Sequence, residues 1–351
     1  MTTRSPAIDF VLSMPSTAYA AAVRLRNAWY DRRGGTRIPG LPVISVGNLA
    51  LGGTGKTPLV AWIAKRLLSQ GLVPAIVSRG YGGHAGQGPL VVSTGSGPRV
   101  NAGTCGDEPH LLARSLKGTI VIVGADRIEG ARCAAAAGAS AVILDDGFQH
   151  RRLARDLDIV ALDGRAPFAD GYLVPRGFLR EVPSALRRAH VVVLTRLREG
   201  DPARGAVDAV RSTGFSGPIV RAGHRTTGFE DASGAACVAP QRALAFCGIG
   251  DPQLFRADLE AAGVVIAGFH AFRDHKPYTL ADWEKLLAEG RALRVPLITT
   301  EKDLSRLDAA AGAALNGSPL VVARVETLVW DEAFLLDAVR RAVASHGGSV
   351  T

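Results

Sequence analysis

The sequence predicts an α/β protein: a mostly parallel sheet domain, a smaller α/β domain behind it, and an amphipathic helix in front. Three observations predict this. From Leu41 to Gln70 a short β-branched run, a glycine-rich turn and a helical pattern follow one another without interruption. Downstream, apolar runs of strand length keep alternating with segments of helical period, as a parallel sheet with crossover helices requires. The alternation breaks over Gly214 to Gln241, where Gly, Ser, Thr and Ala dominate, and then resumes without a second glycine-rich turn of that kind. These breaks divide the 351 residues into a helix over 1–36, a first domain over 37–215, a linker over 216–241 and a second domain over 242–351.

At the N-terminus, Pro6 to Tyr30 collects Phe10, Val11, Leu12, Met14, Tyr19, Val23, Leu25 and Trp29, but Asp9, Pro15, Arg24 and Arg26 interrupt the run. A bilayer span needs about 20 mostly apolar residues, and a signal peptide carries its basic residues before the apolar run rather than after it. Two other readings stand side by side. One is a helix lying in a membrane interface, with Arg24, Arg26, Arg32 and Arg33 toward the headgroups and Trp29 and Tyr30 at the boundary. The other is a terminal helix packed on its own domain.

In the next stretch Pro42 to Val46 is the strand, Gly47 to Gly55 the turn, and Leu59, Val60, Ile63, Ala64, Leu67 and Leu68 recur at helical spacing until Gly71. With Lys56-Thr57 at the junction, this is the phosphate loop of a P-loop NTPase-like domain, and Ala50 replaces the first glycine of G-x-x-x-x-G-K-[ST]. The residue types follow from the chemistry. Backbone N–H groups of Gly52, Gly53, Thr54, Gly55 and Lys56 converge at the positive end of a helix, where a Cβ would block close approach. Lys56 reaches the β/γ-phosphates and Thr57 places its hydroxyl on Mg²⁺.

Val73 to Ser78 reads as a strand delivering Arg79 to a glycine-rich loop at the sheet edge where ligands bind, which makes Arg79 a candidate phosphate contact. Asp107, in Gly106-Asp107-Glu108-Pro109, stands at the start of a helix over His110 to Leu116, where capping is the ordinary use of aspartate. Thr119 to Val123 is a strand, Asp126 to Ala137 a helix, and Ala141 to Leu144 a strand ending in Asp145-Asp146. An apolar strand ending in Asp beside a phosphate loop is the Walker B arrangement, holding Mg²⁺ directly or through water. Successive side chains of a strand point to opposite faces, so at least one aspartate turns into the loop. Strands over Asp158 to Leu162 and His190 to Leu194 flank a long loop whose Arg176 and Arg180 could receive an anionic substrate.

After the linker come strand Ala243 to Cys247, helix Pro252 to Ala262, strand Val264 to Phe269, helix Thr279 to Gly290, strands Val295 to Thr299 and Leu320 to Arg324, and helix Glu332 to Ala344. His275, after Asp274 in a loop, is a candidate acid or base with Asp274 as its orienter. In Thr299-Thr300-Glu301-Lys302-Asp303, Lys302 and Asp303 are adjacent, which fails the N-K-x-D spacing of guanine-reading loops and favours ATP over GTP. Dimer-switching regulatory ATPases carry a lysine immediately before the paired glycines of the loop; Leu51 stands there instead.

Composition excludes other classes. A chain that is 47% hydrophobic and 21% charged folds around ample core, and its net charge of +9 favours an anionic partner without choosing among nucleotide, membrane and nucleic acid. No nucleic-acid-binding motif supports the last. Cys105, Cys133, Cys237 and Cys247 show neither metal-ligand spacing nor a disulfide framework, and a reducing cytoplasm is expected.

Taken in order, GNLALGGTGKTP, SRGYGG, GDEP, VILDDGFQHRRL, LVPRGFLRE, FRDH and TTEKD resemble the tetraacyldisaccharide 4′-kinases of lipid A biosynthesis over nearly the whole chain. The resemblance implies transfer of the ATP γ-phosphate to the 4′-hydroxyl of an acylated glucosamine disaccharide 1-phosphate, with Mg²⁺, at the cytoplasmic face of the inner membrane. It implies that the N-terminal helix touches that membrane. By the same resemblance Asp107, His275 and Lys56 are catalytic, Arg79, Gln149, His150 and Arg180 face the lipid, and Thr57, Asp145, Asp146 and Glu181 serve the metal. A kinase of a soluble substrate, and a nucleotide-gated adaptor on anionic membrane, are the alternatives.

Overall fold

The computed structural model describes residues 6–81, 83, 86, 88–274, 278–304, 306 and 320–346. In chain order α1 (Pro6–Arg33) precedes β1 (Val43–Gly47), α2 (Lys56–Leu68), β2 (Pro74–Ser78), β3 (Leu90–Thr94), α3 (Ala102–Cys105) and α4 (Asp107–Ser115). Then come β4 (Ile120–Val123), α5 (Arg127–Ala136), β5 (Ala141–Asp145), β6 (Leu157–Asp163), β7 (Val191–Leu197), α6 (Arg204–Ser212) and β8 (Ile219–Asp231). The second half has β9 (Ala236–Cys237), β10 (Arg242–Cys247), α7 (Pro252–Ala261), β11 (Val265–Ala271), α8 (Leu280–Leu293), β12 (Leu297–Thr300), α9 (Glu301–Leu304), β13 (Leu320–Val329) and α10 (Glu332–Ala344).

All described strands lie in one sheet, in the order β11-β10-β12-β13-β8-β7-β6-β1-β5-β2-β4-β3, with β9 paired to β8. β1 sits between β5 and β6, parallel to both. All five of its residues, Ser45 included, are buried because helices cover both faces of a parallel sheet. Ile44 and Val46 pack toward α2 and α10, while Val43 faces the opposite layer with Ile128, Ala131 and Ala134 of α5. The fold class is therefore the expected mostly parallel α/β architecture.

Three features depart from the sequence reading. The stretch read as a linker contains β8, whose 13 residues pair parallel with β7 and antiparallel with β13, so both halves share it. α6 and the antiparallel edge strand β3 were not foreseen. Finally, α10, expected in the second domain, buries Leu335, Ala338, Val339, Ala342 and Val343 in the same core as β1 and α2. The chain thus makes a first lobe, an excursion through β10–β13, and a return.

Among the described residues no helix is long and apolar enough to cross a membrane. α1 instead docks on its own lobe through polar contacts: Ser16 Oγ donates to the Leu173 carbonyl at 3.0 Å, Tyr19 donates to that of Arg180 at 3.0 Å, and Asn27 donates to Glu181 at 2.6 Å. Away from those contacts Val11, Met14, Leu25 and Trp29 are exposed.

Candidate active site

The phosphate loop is built around two glycines. Gly52 and Gly55 have φ of 98° and 72°, a region closed to most side chains, and Gly55 caps α2 with no side-chain cap bond. The first N–H groups of α2 therefore lack the side-chain acceptor that most helices supply, and they make a basin for an anion. Its walls are fixed by hydroxyls and amides. Thr195 Oγ1, at the end of β7, donates to the Thr54 carbonyl at 2.8 Å, and Asn48 Nδ2 donates to Thr54 Oγ1 at 3.1 Å. The sequence reading missed both residues; their one signal was a polar residue at the end of an apolar run.

Parallel pairing of β1 with β5 sets Asp145 opposite Val46, next to the start of the loop. Its neighbour Asp146 has φ of 56°, so the chain leaves the strand there and the two carboxylates diverge. Their environments differ as sharply as their directions. Asp146 accepts from Arg180 at 2.7 Å and lies 3.5 Å from Lys56 Nζ; although burial works against it, these cations hold its carboxyl below the usual range. Asp145 is buried, its Oδ1 has no hydrogen-bond partner, and burial, reinforced by Glu108, pushes it up to about 7. A carboxylate left in this condition is a site for a cation.

Thr57 Oγ1 donates to Glu108 Oε2 at 3.2 Å, joining the loop to the start of α4. Asp107 beside it accepts from Arg306 Nε at 2.9 Å, and Lys302 lies 3.8 Å from Glu108 and 3.1 Å from Asp274. Arg306 and Lys302 belong to the second half of the chain, so these contacts close across the two lobes. His275 lies outside the described residues, while Asp274 before it is half-buried at this junction.

The remaining expected residues divide. Arg180 joins the Asp146–Lys56 cluster, and Arg79 is exposed at the end of β2. Gln149 donates to the Asn48 carbonyl at 2.8 Å and to Glu181 at 3.1 Å, which gives it a supporting place behind the loop. His150 is pushed down to about 4 by burial and by Arg127, and its Nε2 has no partner. Glu181, expected as a metal ligand, is fully buried and accepts from Asn27, Gln149 and Arg188, the last at 3.0 Å. Arg127, not singled out from the sequence, is buried beside the aspartate pair, donates to the Gly124 carbonyl at 2.6 Å and is pushed down by that burial.

Comparison with known proteins adds to this geometry. A family model described as LpxK: Tetraacyldisaccharide-1-P 4′-kinase matches residues 8–344. A protein of Anaeromyxobacter dehalogenans (strain 2CP-C) named tetraacyldisaccharide 4′-kinase is 42% identical over 339 residues, covering 93% of this chain and 88% of that one. One of Geobacter metallireducens with the same name is 40% identical over 337 residues, covering 91% and 96%. Among solved structures, LpxK from Aquifex aeolicus in complex with ATP superposes with a TM-score of 0.75 at 28% identity, covering 96% of this chain and 99% of that chain.

Proposed function

The chain belongs to the tetraacyldisaccharide-1-P 4′-kinase family, and from that premise we propose how its residues divide the work of an ATP-dependent kinase acting on the lipid A precursor. The enzyme transfers the γ-phosphate of ATP to the 4′-hydroxyl of the tetraacyldisaccharide 1-phosphate. The observation that carries the reading is the glycine-lined basin at the start of α2, with Lys56 on one side and the partnerless Asp145 oxygen on the other.

The hydroxyl oxygen forms a bond to the γ-phosphorus as the bond to the β–γ bridging oxygen breaks, ADP leaves, and the hydroxyl proton passes to the protein. Such transfer is governed by positioning and by stabilisation of charge on the phosphoryl oxygens. Lys56 and the N–H groups of Gly52 to Lys56 bind the β- and γ-phosphates. Lys56 exchanges its contact with Asp146 for them, and Arg180 keeps Asp146 neutralised. Asp107, at the lobe junction, receives the proton together with His275 as the second member of the pair. Arg79, His150 and Arg180 face the lipid acceptor, and Gln149 braces the loop behind them.

A magnesium ion fits the residues present. Asp145 offers an unbonded buried oxygen and Thr57 a hydroxyl, and a nucleotide-borne Mg²⁺ needs only one or two protein ligands. When bound, it would neutralise charge on the β- and γ-phosphate oxygens. Glu181 is taken up by Arg188, whereas Asp146 keeps its Oδ1 without a hydrogen bond, 3.5 Å from Lys56, so Asp145 and Thr57 carry this role with Asp146 as the second carboxylate beside them. Membrane contact belongs to the apolar side of α1, with Val11, Met14, Leu25 and Trp29, at the cytoplasmic face of the inner membrane.

The test is incubation with ATP, Mg²⁺ and the acylated disaccharide 1-phosphate. A lipid product heavier by one phosphate, formed with one equivalent of ADP, is the expected result. ADP released without phosphorylated lipid would point to an adaptor.

A further inference from the structure

We infer that Arg306 is a positioning residue for Asp107, delivered across the lobe boundary by the Thr300–Asp303 segment; the inference rests on the reading of Asp107 as proton acceptor. The TTEKD stretch has no role in the mechanism above, yet among the described residues it holds a densely bonded polar cluster around Asp303. Asp303 is fully buried and accepts from the Gly248 N–H at 2.9 Å, the Tyr278 hydroxyl at 2.8 Å and the Thr300 hydroxyl at 2.6 Å. Burying a carboxylate costs free energy that this many donors offset.

Arg306 adds a fourth contact, Nη1 to Asp303 at 3.1 Å, and the same Nη1 donates to the Gly248 carbonyl at 2.7 Å. The guanidinium is thereby locked in plane, with its side chain 4% exposed. Its Nε then points out of the second lobe to Asp107 Oδ2 at 2.9 Å, 199 positions away in sequence. Nη2 makes no hydrogen bond and lies 3.7 Å from Asp274, the residue before His275. The arginine therefore stands between the two segments that carry the proposed proton acceptors. A guanidinium anchored at its Nη1 end presents its Nε–H to one carboxylate oxygen in a fixed direction, which a point charge on a flexible stem does not. Lys302, 3.1 Å from Asp274 and 3.8 Å from Glu108, spans the same junction without that directional control.

Anchoring of Asp303 alone would not require the contact to Asp107, because three other donors already serve Asp303. What Arg306 adds is a fixed direction for the Asp107 carboxylate once the lobes are together.

The experiment measures kcat and KM for both substrates in wild type, Arg306→Ala, Arg306→Lys, Asp107→Asn and the double variant Asp107→Asn/Arg306→Ala. Misplacement of a catalytic group by about 1 Å costs on the order of 100-fold, so Arg306→Ala is expected to lower kcat by about that factor with KM for ATP changed less than about threefold. Guanidinium ion added at millimolar concentration should restore part of the turnover of Arg306→Ala and none of that of Asp107→Asn. The double variant should be no slower than Asp107→Asn. Should Arg306→Ala fail to fold, Arg306→Lys keeps a cation beside Asp303 and carries the test: a lowered kcat with unchanged KM for ATP supports positioning. Wild-type turnover in Arg306→Lys overturns it. Equal slowing by Arg306→Ala in the wild-type and Asp107→Asn backgrounds removes the role of Arg306 and leaves Asp107 in place. Wild-type turnover in Asp107→Asn removes the proton-acceptor reading itself, and the positioning role with it.

Discussion

Two acidic pairs face the phosphate loop, and they are held in opposite ways. Asp145-Asp146 ends β5, and the cations around it, Lys56, Arg127 and Arg180, all come from the lobe that contains the pair. Asp107-Glu108 begins α4, and its cations, Arg306 and Lys302, come from the other lobe. The first pair is assembled whenever its lobe is folded. The second is complete only when the two lobes are in register, so recognition of the nucleotide phosphates and activation of the acceptor answer to different parts of the fold.

The sharpest way to break this contrast is at the first pair. Lys56→Ala removes the cation of the phosphate basin and should lower kcat/KM for ATP by about 10²–10³-fold, read in steady-state kinetics, with the lobe contacts of Asp107 untouched. Wild-type kinetics in this variant would mean that the basin is not the phosphate site. Asp145→Asn should act nearly as strongly, through a raised Mg²⁺ requirement, and titration of activity with Mg²⁺ would detect it.

A smaller effect is expected at the second pair. Lys302 is partly exposed and its contact to Glu108 is long, so Lys302→Ala should lower kcat by only about fivefold, as for a weak ion pair. A loss as large as that of Lys56→Ala would erase the distinction between the two pairs. At α1, deletion of residues 1–36 should reduce sedimentation with anionic vesicles, and rising salt should weaken binding of the intact protein. Unchanged sedimentation would leave α1 as a packed terminal helix only.

The effect expected at the strand both lobes share is the smallest on turnover and falls on stability instead. His224 in β8 is pushed down to about 4, by burial and then by Arg196, from an ordinary 6.5. As pH falls through 6.5 the unfolded chain takes up a proton that the folded chain refuses, so stability present above that value is lost progressively down to about 4. His224→Phe should flatten the slope of unfolding free energy against pH in this window by about one proton. An unaltered slope in urea titrations at several pH values would place the acid sensitivity elsewhere.

Much of the first pair was legible because its chemistry is local. Strand, glycine turn and Lys56-Thr57 are consecutive, and the run Ala141–Leu144 before two aspartates announces its own geometry. The second pair was legible only in half. Asp107 could be named, but its partner Arg306 is an ordinary arginine in sequence, and only the tertiary fold brings the two within 2.9 Å. The same holds for Arg188, which only the tertiary fold brings to within 3.0 Å of Glu181. β8 was hidden for another reason. Its exposed Arg225 and Thr227 and the surrounding small residues mask the alternation that marks a strand, while pairing on both sides extends it far beyond the short apolar piece Pro218 to Val220. The short edge strand β3 carries too weak a period to be read alone, and α6, nine residues long with Ala203 rather than a capping side chain before it, lacks a start signal.

The return of α10 to the first core has a bearing on how the protein is made. The phosphate loop and both acidic pairs emerge early from the ribosome, but the apolar face of the sheet beneath them is covered by Leu335, Ala338, Val339, Ala342 and Val343. A nascent chain that has not yet exposed those residues leaves Ile44, Leu59 and Ile63 without part of their packing, however complete its motifs. The nucleotide site therefore matures after translation has passed the second lobe, and an early stop codon or a proteolytic nick near the C-terminus would disable a site encoded some distance upstream.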